Sequence, residues 1–408
     1  MDVQNALDEF EQRLARYPAD RYPVQHATAQ FHLGVLLTDA DRLEEAAQAL
    51  DVATALLPPD GLIAEHAKAT NARGVVFRLA GHLDDAASAF ERAAAAFATT
   101  ELGREHGAAL FNLGLVQRDR GDAAAAADCF RQAGDRFDAD TAPGEAGAAA
   151  RELGATLLVK GELDAARETL ESAVSLADRA ADTAGLGASA NLLGLVHLGA
   201  DRPDDAVAAF RDALGAHPRT VRPGEHAMAK ANLALAYERT GATDHAYLAA
   251  VQALGVPGVA EPVREQAEAS LERLGLRYGA VLPVLDQEPQ DRWPVLVREE
   301  LARWSDAEPS QRRAECAGWL DGQLARRAAA ADLAEVWLGA LLELPPDAMI
   351  SLIRAMLEAI ADRGEEDVER FRSTVSRTVV RFPIPQWMRL ADSFNAVATE
   401  LGQEASWG

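Results

Sequence analysis

The chain has 408 residues, long enough for two or three domains or for one long repeat array with an appendage. Its 40 basic and 64 acidic residues leave a formal charge of −24, which excludes the usual binders of nucleic acid and anionic membranes, because phosphate needs a basic surface. With 49% apolar residues the chain can build a sizeable core, and its two cysteines, Cys129 and Cys316, cannot frame a disulfide scaffold.

The amino terminus, MDVQNALDEFEQRL, carries acids where a signal peptide needs a basic start, and no run of about 18 apolar residues occurs. A cytoplasmic protein with neither a membrane nor a nucleic acid as partner is expected.

In chain order the dominant signal is a 40-residue repeat. Ala6 and Phe10 match the second half of a truncated copy, and six copies follow with a small marker residue at Gly34, Gly74, Gly114, Gly154, Gly194 and Ala234. Twelve residues after each marker stands Ala46, Ala86, Ala126, Ala166, Ala206 or Ala246, and sixteen after stands Leu50, Phe90, Phe130, Leu170, Phe210 or Ala250. Seven after come the turn residues Asp41, Gly81, Gly121, Gly161, Asp201 and Gly241. The spacing predicts two antiparallel helices per repeat. Helix A carries the marker and ends at the turn; helix B opens on acids that complement its dipole, as in Leu83-Asp84-Asp85. Small residues at the marker and at the helix B alanine let the two axes approach, and each pair must stack on its neighbours to bury its apolar face. Glu261–Arg277 reads as one more helix A that can cap the array.

The arrangement Leu113-Gly114, Ala126, Phe130, Ala133 resembles the tetratricopeptide repeat (TPR), and the likeness extends over residues 1–280. The period exceeds the family's unit of about 34 residues, the extra residues falling where helix A lengthens and the inter-repeat loop grows. The resemblance implies a right-handed TPR-like α-solenoid; with the helical pattern of the last third, the fold class expected is all-α, the solenoid being followed by a smaller helical domain. It also implies that the helix A faces line a concave groove for extended peptides or partner helices.

From Val281 the 40-residue period is lost, and the composition changes: all six tryptophans lie beyond this point and all nine histidines before it. Residues 281–408 are expected to form a tryptophan-rich helical domain with most tryptophans in its core. Met349, Leu352, Ile353, Met356, Leu357 and Ile360 mark the buried face of a helix begun by Pro345-Pro346-Asp347, with further helices near 294–304, 309–330, 332–343, 365–381 and 386–401.

Catalysis finds little support. The last third has no histidine to pair with Cys316, which reads as a buried thiol, and no lysine stands in a phosphate-loop context. Gly185-Leu186-Gly187 begins a helix that follows a helix, not a strand, so it is no dinucleotide fingerprint. His26, His66, His106 and His226 share one repeat position eight residues before the marker. Neighbours a whole repeat apart cannot share a metal with bonds of roughly 2 Å. They read as helix-start residues packed on the preceding repeat's loop, with a pH-responsive joint as the lesser alternative. No catalytic residue, cofactor or metal is expected.

Positions three before, one after and four after the marker fall on one helical stripe facing the groove. Its polar and apolar members, with adjacent positions, give Lys68, Asn71, Arg78, Asn112, Arg118, Arg151, Asn191, Leu195 and Leu198 as the candidate peptide-binding residues. Arginine forks suit carboxylates and asparagines suit a peptide backbone, so a protein or peptide partner with an acidic segment is one reading. Pairing of Arg78 and Arg118 with acids of the same array, such as Asp119, is the other. A second basic stripe, Arg363, Arg370, Arg377 and Arg381, reads as a solvated or intramolecular face. The function expected is a non-enzymatic adaptor or scaffold. A peptide-responsive regulatory sensor and an enzyme with a site between the solenoid and the carboxyl-terminal domain are the alternatives.

Overall fold

The computed structural model describes residues 3–275 and 279–407, and among these are 21 α-helices and no strand. The chain parts into two compact units, Met1–Asp201 and Arg202–Gly408.

The first unit holds α1 (Val3–Arg16), α2 (Pro23–Asp39), α3 (Leu43–Leu56), α4 (Ile63–Leu79), α5 (Leu83–Phe97), α6 (Gly103–Asp119), α7 (Ala123–Arg136), α8 (Pro143–Val159), α9 (Leu163–Arg179) and α10 (Thr183–Gly199). The pairs α2/α3, α4/α5, α6/α7 and α8/α9 are the helix A and helix B of successive repeats, and each helix B also packs on the next helix A. Every helix A from α2 to α10 is 17 residues long. The turns between partners need a left-handed residue, and Asp41 (φ 59°), Gly81 (78°), Gly121 (81°) and Gly161 (76°) supply it, because glycine and aspartate carry that conformation at least cost.

The marker glycines solve a packing conflict. A Cβ added at Gly74 or Gly114 would lie 2.7 Å from the Phe90 or Phe130 ring, and one at Gly34 or Gly154 would lie 2.5 Å from Leu50 or Leu170. Those four large side chains are fully buried, each contributing about 1.5–3 kcal/mol of transfer free energy, so the glycine is the complement of the large residue sixteen positions later.

The second unit holds α11 (Pro203–Ala216), α12 (Pro223–Thr240), α13 (Thr243–Leu254), α14 (Glu261–Leu274), α15 (Val281–Leu285), α16 (Trp293–Asp306), α17 (Pro309–Ala325), α18 (Ala330–Leu342), α19 (Pro346–Ala361), α20 (Glu365–Val379) and α21 (Ile384–Glu400). Here α12 and α13 follow the repeat rule with a twist: the marker is Ala234 and the residue sixteen later is Ala250, both fully buried. Helix α14 begins at the expected Glu261; its expected end at Arg277 lies outside the described residues.

Beyond Val281, where the 40-residue period is lost, a 37-residue period not anticipated from the sequence takes over. Val297, Ala334 and Phe371; Leu301, Leu338 and Val375; and Trp304, Leu341 and Thr378 occupy matching buried positions of α16, α18 and α20. Cys316, Ile353 and Leu390; Leu320, Leu357 and Phe394; and Gln323, Ile360 and Val397 do the same on α17, α19 and α21, whose starts are marked by Pro309, Pro346 and Pro383. Two layers result, with α16, α18 and α20 side by side in one and α17, α19 and α21 in the other. The helix expected over 309–330 stops at Ala325 and resumes at Ala330, because this repeat needs its own turn. Five of the six tryptophans are buried and Trp387 is half-buried. Their core also includes Leu248 of α13.

Candidate functional site

In the first unit α2, α4 and α6 lie side by side, and their exposed faces with Phe97 of α5 enclose an apolar hollow of about 290 Å³. Phe31, Val35, Thr38, Asn71 and Val75, five residues of the expected stripe, line it, with Lys68 and Glu105 at its edge. The helical repeat explains this: helix A turns its marker inward to helix B, and the positions one after and three before lie roughly 100° and 60° round the helix from it, on the adjoining face.

Around the hollow, the cations chosen from the sequence are paired. Lys68 Nζ stands 3.7 Å from Glu105, and Asn112 Nδ2 donates to Asn71 Oδ1 at 3.4 Å. Arg78 donates to Asp119 at 2.9 Å, Arg118 donates to Glu152 at 2.6 Å and stands 3.6 Å from Asp119, and Arg151 donates to Glu152 at 3.4 Å. Arg78, Asp119, Arg118, Glu152 and Arg151 thus form an alternating ion ladder across α4, α6 and α8. Arg78 and Arg118 are each paired with an acid of the same array. Three guanidinium groups against two carboxylates leave a single positive charge on the ladder, and its half-buried pairs each stabilise the stack by at most about 1 kcal/mol.

The remaining stripe residues lie on α10. Asn191 and Leu198 are buried and Leu195 is half-buried, so this part of the stripe is packed instead of presented. Glu105 and Glu152 were missing from the sequence reading. The signal for Glu105 was available, since Glu65, Glu105, Glu145 and Glu225 share one phase, one residue before the histidine column.

The column itself does what its packing role requires. The Nδ1 of His26 donates to the carbonyl of Tyr17 at 2.8 Å, that of His66 to Leu57 at 2.9 Å, and that of His226 to His217 at 2.9 Å. Each is the carbonyl nine residues earlier, so the imidazole ties helix A to the end of the preceding helix B. Burial holds His106 and His226 below the usual histidine range. Burial also pushes the Cys129 thiol up to about 11 and the Cys316 thiol up to about 12, far from a nucleophile's poise. In the second basic stripe Arg363 pairs with Asp321, Arg370 with Glu366 and Asp367, and Arg381 with Glu335, all within the 37-residue repeats. Among the described residues no group of three or more metal-ligating side chains comes together, and no helix is long and apolar enough to cross a membrane.

No curated protein matches the chain. Among solved structures it is similar to BtubC from P. vanneervenii (16% identity, 53% of this chain and 91% of the other, TM-score 0.47). It is also similar to a chain of the APC/C Cut9-Hcn1 hetero-tetramer (16% identity, 66% and 46%, TM-score 0.49) and to YrrB, a TPR protein with an unusual peptide-binding site (20% identity, 51% and 92%, TM-score 0.37). Two tetratricopeptide repeat family profiles match, one over residues 145–218 and the other over 2–61, 71–140 and 191–255, together more than half of the sequence. With marker glycines, turn residues and paired helices in the same phase, the chain belongs to the tetratricopeptide repeat family.

Proposed function

We propose that the face of α2, α4 and α6 holds an extended peptide segment of a partner protein, with one apolar side chain anchored in the hollow. The repeat family supports a protein-interaction adaptor in general. The observation that favours this face is its open apolar hollow, lined by Phe31, Val35 and Val75 and bordered by Lys68, Asn71 and Glu105, where a peptide can bury an anchor and still find polar partners for its backbone. An acidic residue beside the anchor fits the single excess charge of the ladder, and Arg118, the most exposed of its arginines, is the group able to exchange a partner.

The reading is tested by placing the photo-crosslinking residue benzoylphenylalanine at Val35, in the hollow, and separately at Val159, 81% exposed and outside it. Crosslinking to a discrete partner in native lysate is expected from position 35 only, and an Arg118→Glu background should weaken it. Equal crosslinking from both positions, or crosslinking from 159 alone, rejects this face as the docking site.

A further inference from the structure

Wholly inside the second unit, α11, α12, α13, α15 and the start of α16 enclose a cavity of about 220 Å³. Its polar groups sit at two ends. At one, Lys230 Nζ donates to Gln252 Oε1 at 2.7 Å and to Glu299. At the other, Arg211 donates through Nε and Nη2 to the Tyr237 hydroxyl at 3.0 and 2.6 Å, and Glu288 accepts from Arg211 and from His245 Nε2 at 3.1 Å and pairs with Arg292 at 3.2 Å. Lys230 and Tyr237 are seven residues apart on α12, as are His245 and Gln252 on α13, so the ends are separated by about two helical turns, roughly 10 Å. Leu233 and Leu248 line the stretch between them.

This arrangement leaves specific hydrogen-bonding capacity unused. Lysine can only donate, which fixes the Gln252 amide with Oε1 toward Lys230; its Nε2, on a side chain 6% exposed, has no partner. His245 presents Nε2–H to Glu288, so Nδ1 is an acceptor, and it too is buried without a partner. Burial holds His245 below the usual histidine range, which keeps that lone pair available at neutral pH. The Tyr237 oxygen accepts twice from Arg211, leaving its own proton to donate. Charge is also unbalanced: Glu299 matches Lys230, whereas the single Glu288 faces both Arg211 and Arg292.

We propose that the cavity binds a small N-acylated amino acid or capped dipeptide. Its carboxylate lies at Arg211, Arg292 and the Tyr237 hydroxyl, the adjacent amide N–H donates to His245 Nδ1, and the far acyl oxygen accepts from Gln252 Nε2. The carboxylate end is the wetter one, Arg211 and Arg292 being about one-third exposed and Lys230 6%. A protein's carboxyl terminus would therefore have to continue its chain through the closed Lys230 end, which selects a free small molecule.

Equilibrium dialysis of radiolabelled N-acetyl-alanyl-alanine against the full chain tests this. Saturable one-to-one binding is expected, at least tenfold weaker for the same compound with its carboxylate amidated and at least tenfold weaker for the Arg292→Gln variant. Gly215 lines the cavity and a Cβ there meets nothing within 4 Å, so Gly215→Leu should fill the space without disturbing the fold and abolish binding. Circular dichroism reports whether each variant is folded, and the Arg292→Gln variant, at a side chain about one-third exposed, stands alone if Gly215→Leu is not. No saturable binding up to 10 mM of the acid, equal binding of the amidated compound, or unchanged binding by a folded variant overturns the proposal.

Discussion

At the scale of single residues the repeat is a set of matched pairs. Gly114 and Phe130 show it plainly, since the ring occupies the place of the missing Cβ. Gly114→Ala should lower unfolding stability by about 1–3 kcal/mol, the usual cost of overpacking. In a Phe130→Ala background, itself about 3–5 kcal/mol less stable, the same change should cost little, giving a coupling energy of at least about 1 kcal/mol in urea unfolding. Additive effects would separate the glycine from the ring. The sixth repeat already contains the equivalent double change, with Ala234 opposite a small Ala250. Histidine gives a second consequence. His106, His217, His226 and His245 are all held below the usual value, burial being the first cause in each. Such groups stay neutral in the folded chain while the unfolded chain takes up protons, so their stability is complete above pH about 6.5 and lost as pH falls below it. Glu315, raised by burial, acts in the opposite sense. The urea midpoint should therefore drop between pH 7.5 and 5.5, and His226→Gln should flatten part of the drop; a midpoint that is constant or rises toward acid contradicts this.

At the scale of helices, legibility follows how local the cause is. Asp41, Gly81 and the marker glycines announce themselves because a left-handed turn or a close approach restricts the residue type at that very position. The ladder was half visible: Asp119 stands next to Arg118 in sequence, but Glu152 reaches Arg118 only when α8 stacks on the preceding repeat. The 37-residue repeat was invisible for a different reason. Its core accepts any large apolar group, as Leu320, Leu357 and Phe394 show, and only Pro309, Pro346 and Pro383 recur unchanged. Least legible were the cavity residues, which come from five helices. One local hint existed, Lys230 at a phase where Thr70, Leu110, Ala150 and Ala190 stand in other copies. The same packing buries Arg303 between Glu300 and Glu315, with Gly255 left bare so that its stem can pass. An isolated carboxylate could not remain ionised there, and the guanidinium fork satisfies both.

At the scale of the whole chain two boundaries compete. The 40-residue period ends near residue 280, whereas the compact units part between Asp201 and Arg202. The physical distinction lies in where apolar surface is shared. Leu248 of α13 sits in the same core as Val281, Leu285 and Trp293, and Arg211 and Lys230 carry the partners of Glu288 and Glu299. A chain cut at 280 uncovers that core and leaves Glu288, 8% exposed in the intact unit, beside Arg292 alone. In a repeat array stability is a sum over neighbouring interfaces, so removing α11–α14 subtracts one interface from the 37-residue repeats without replacing it. A fragment of residues 202–408 should accordingly unfold in one cooperative urea transition. A fragment of residues 281–408 should be less stable by on the order of 3 kcal/mol or more, the scale of uncovering one or two large core side chains, and should bind a hydrophobic dye in the absence of denaturant. Equal stability of the two fragments would place the true boundary at 280 and make the contact with α13 incidental. A fragment of 202–408 that melts in two steps would do the same, because the last tetratricopeptide helices would then be unfolding independently of the tryptophan-rich layers.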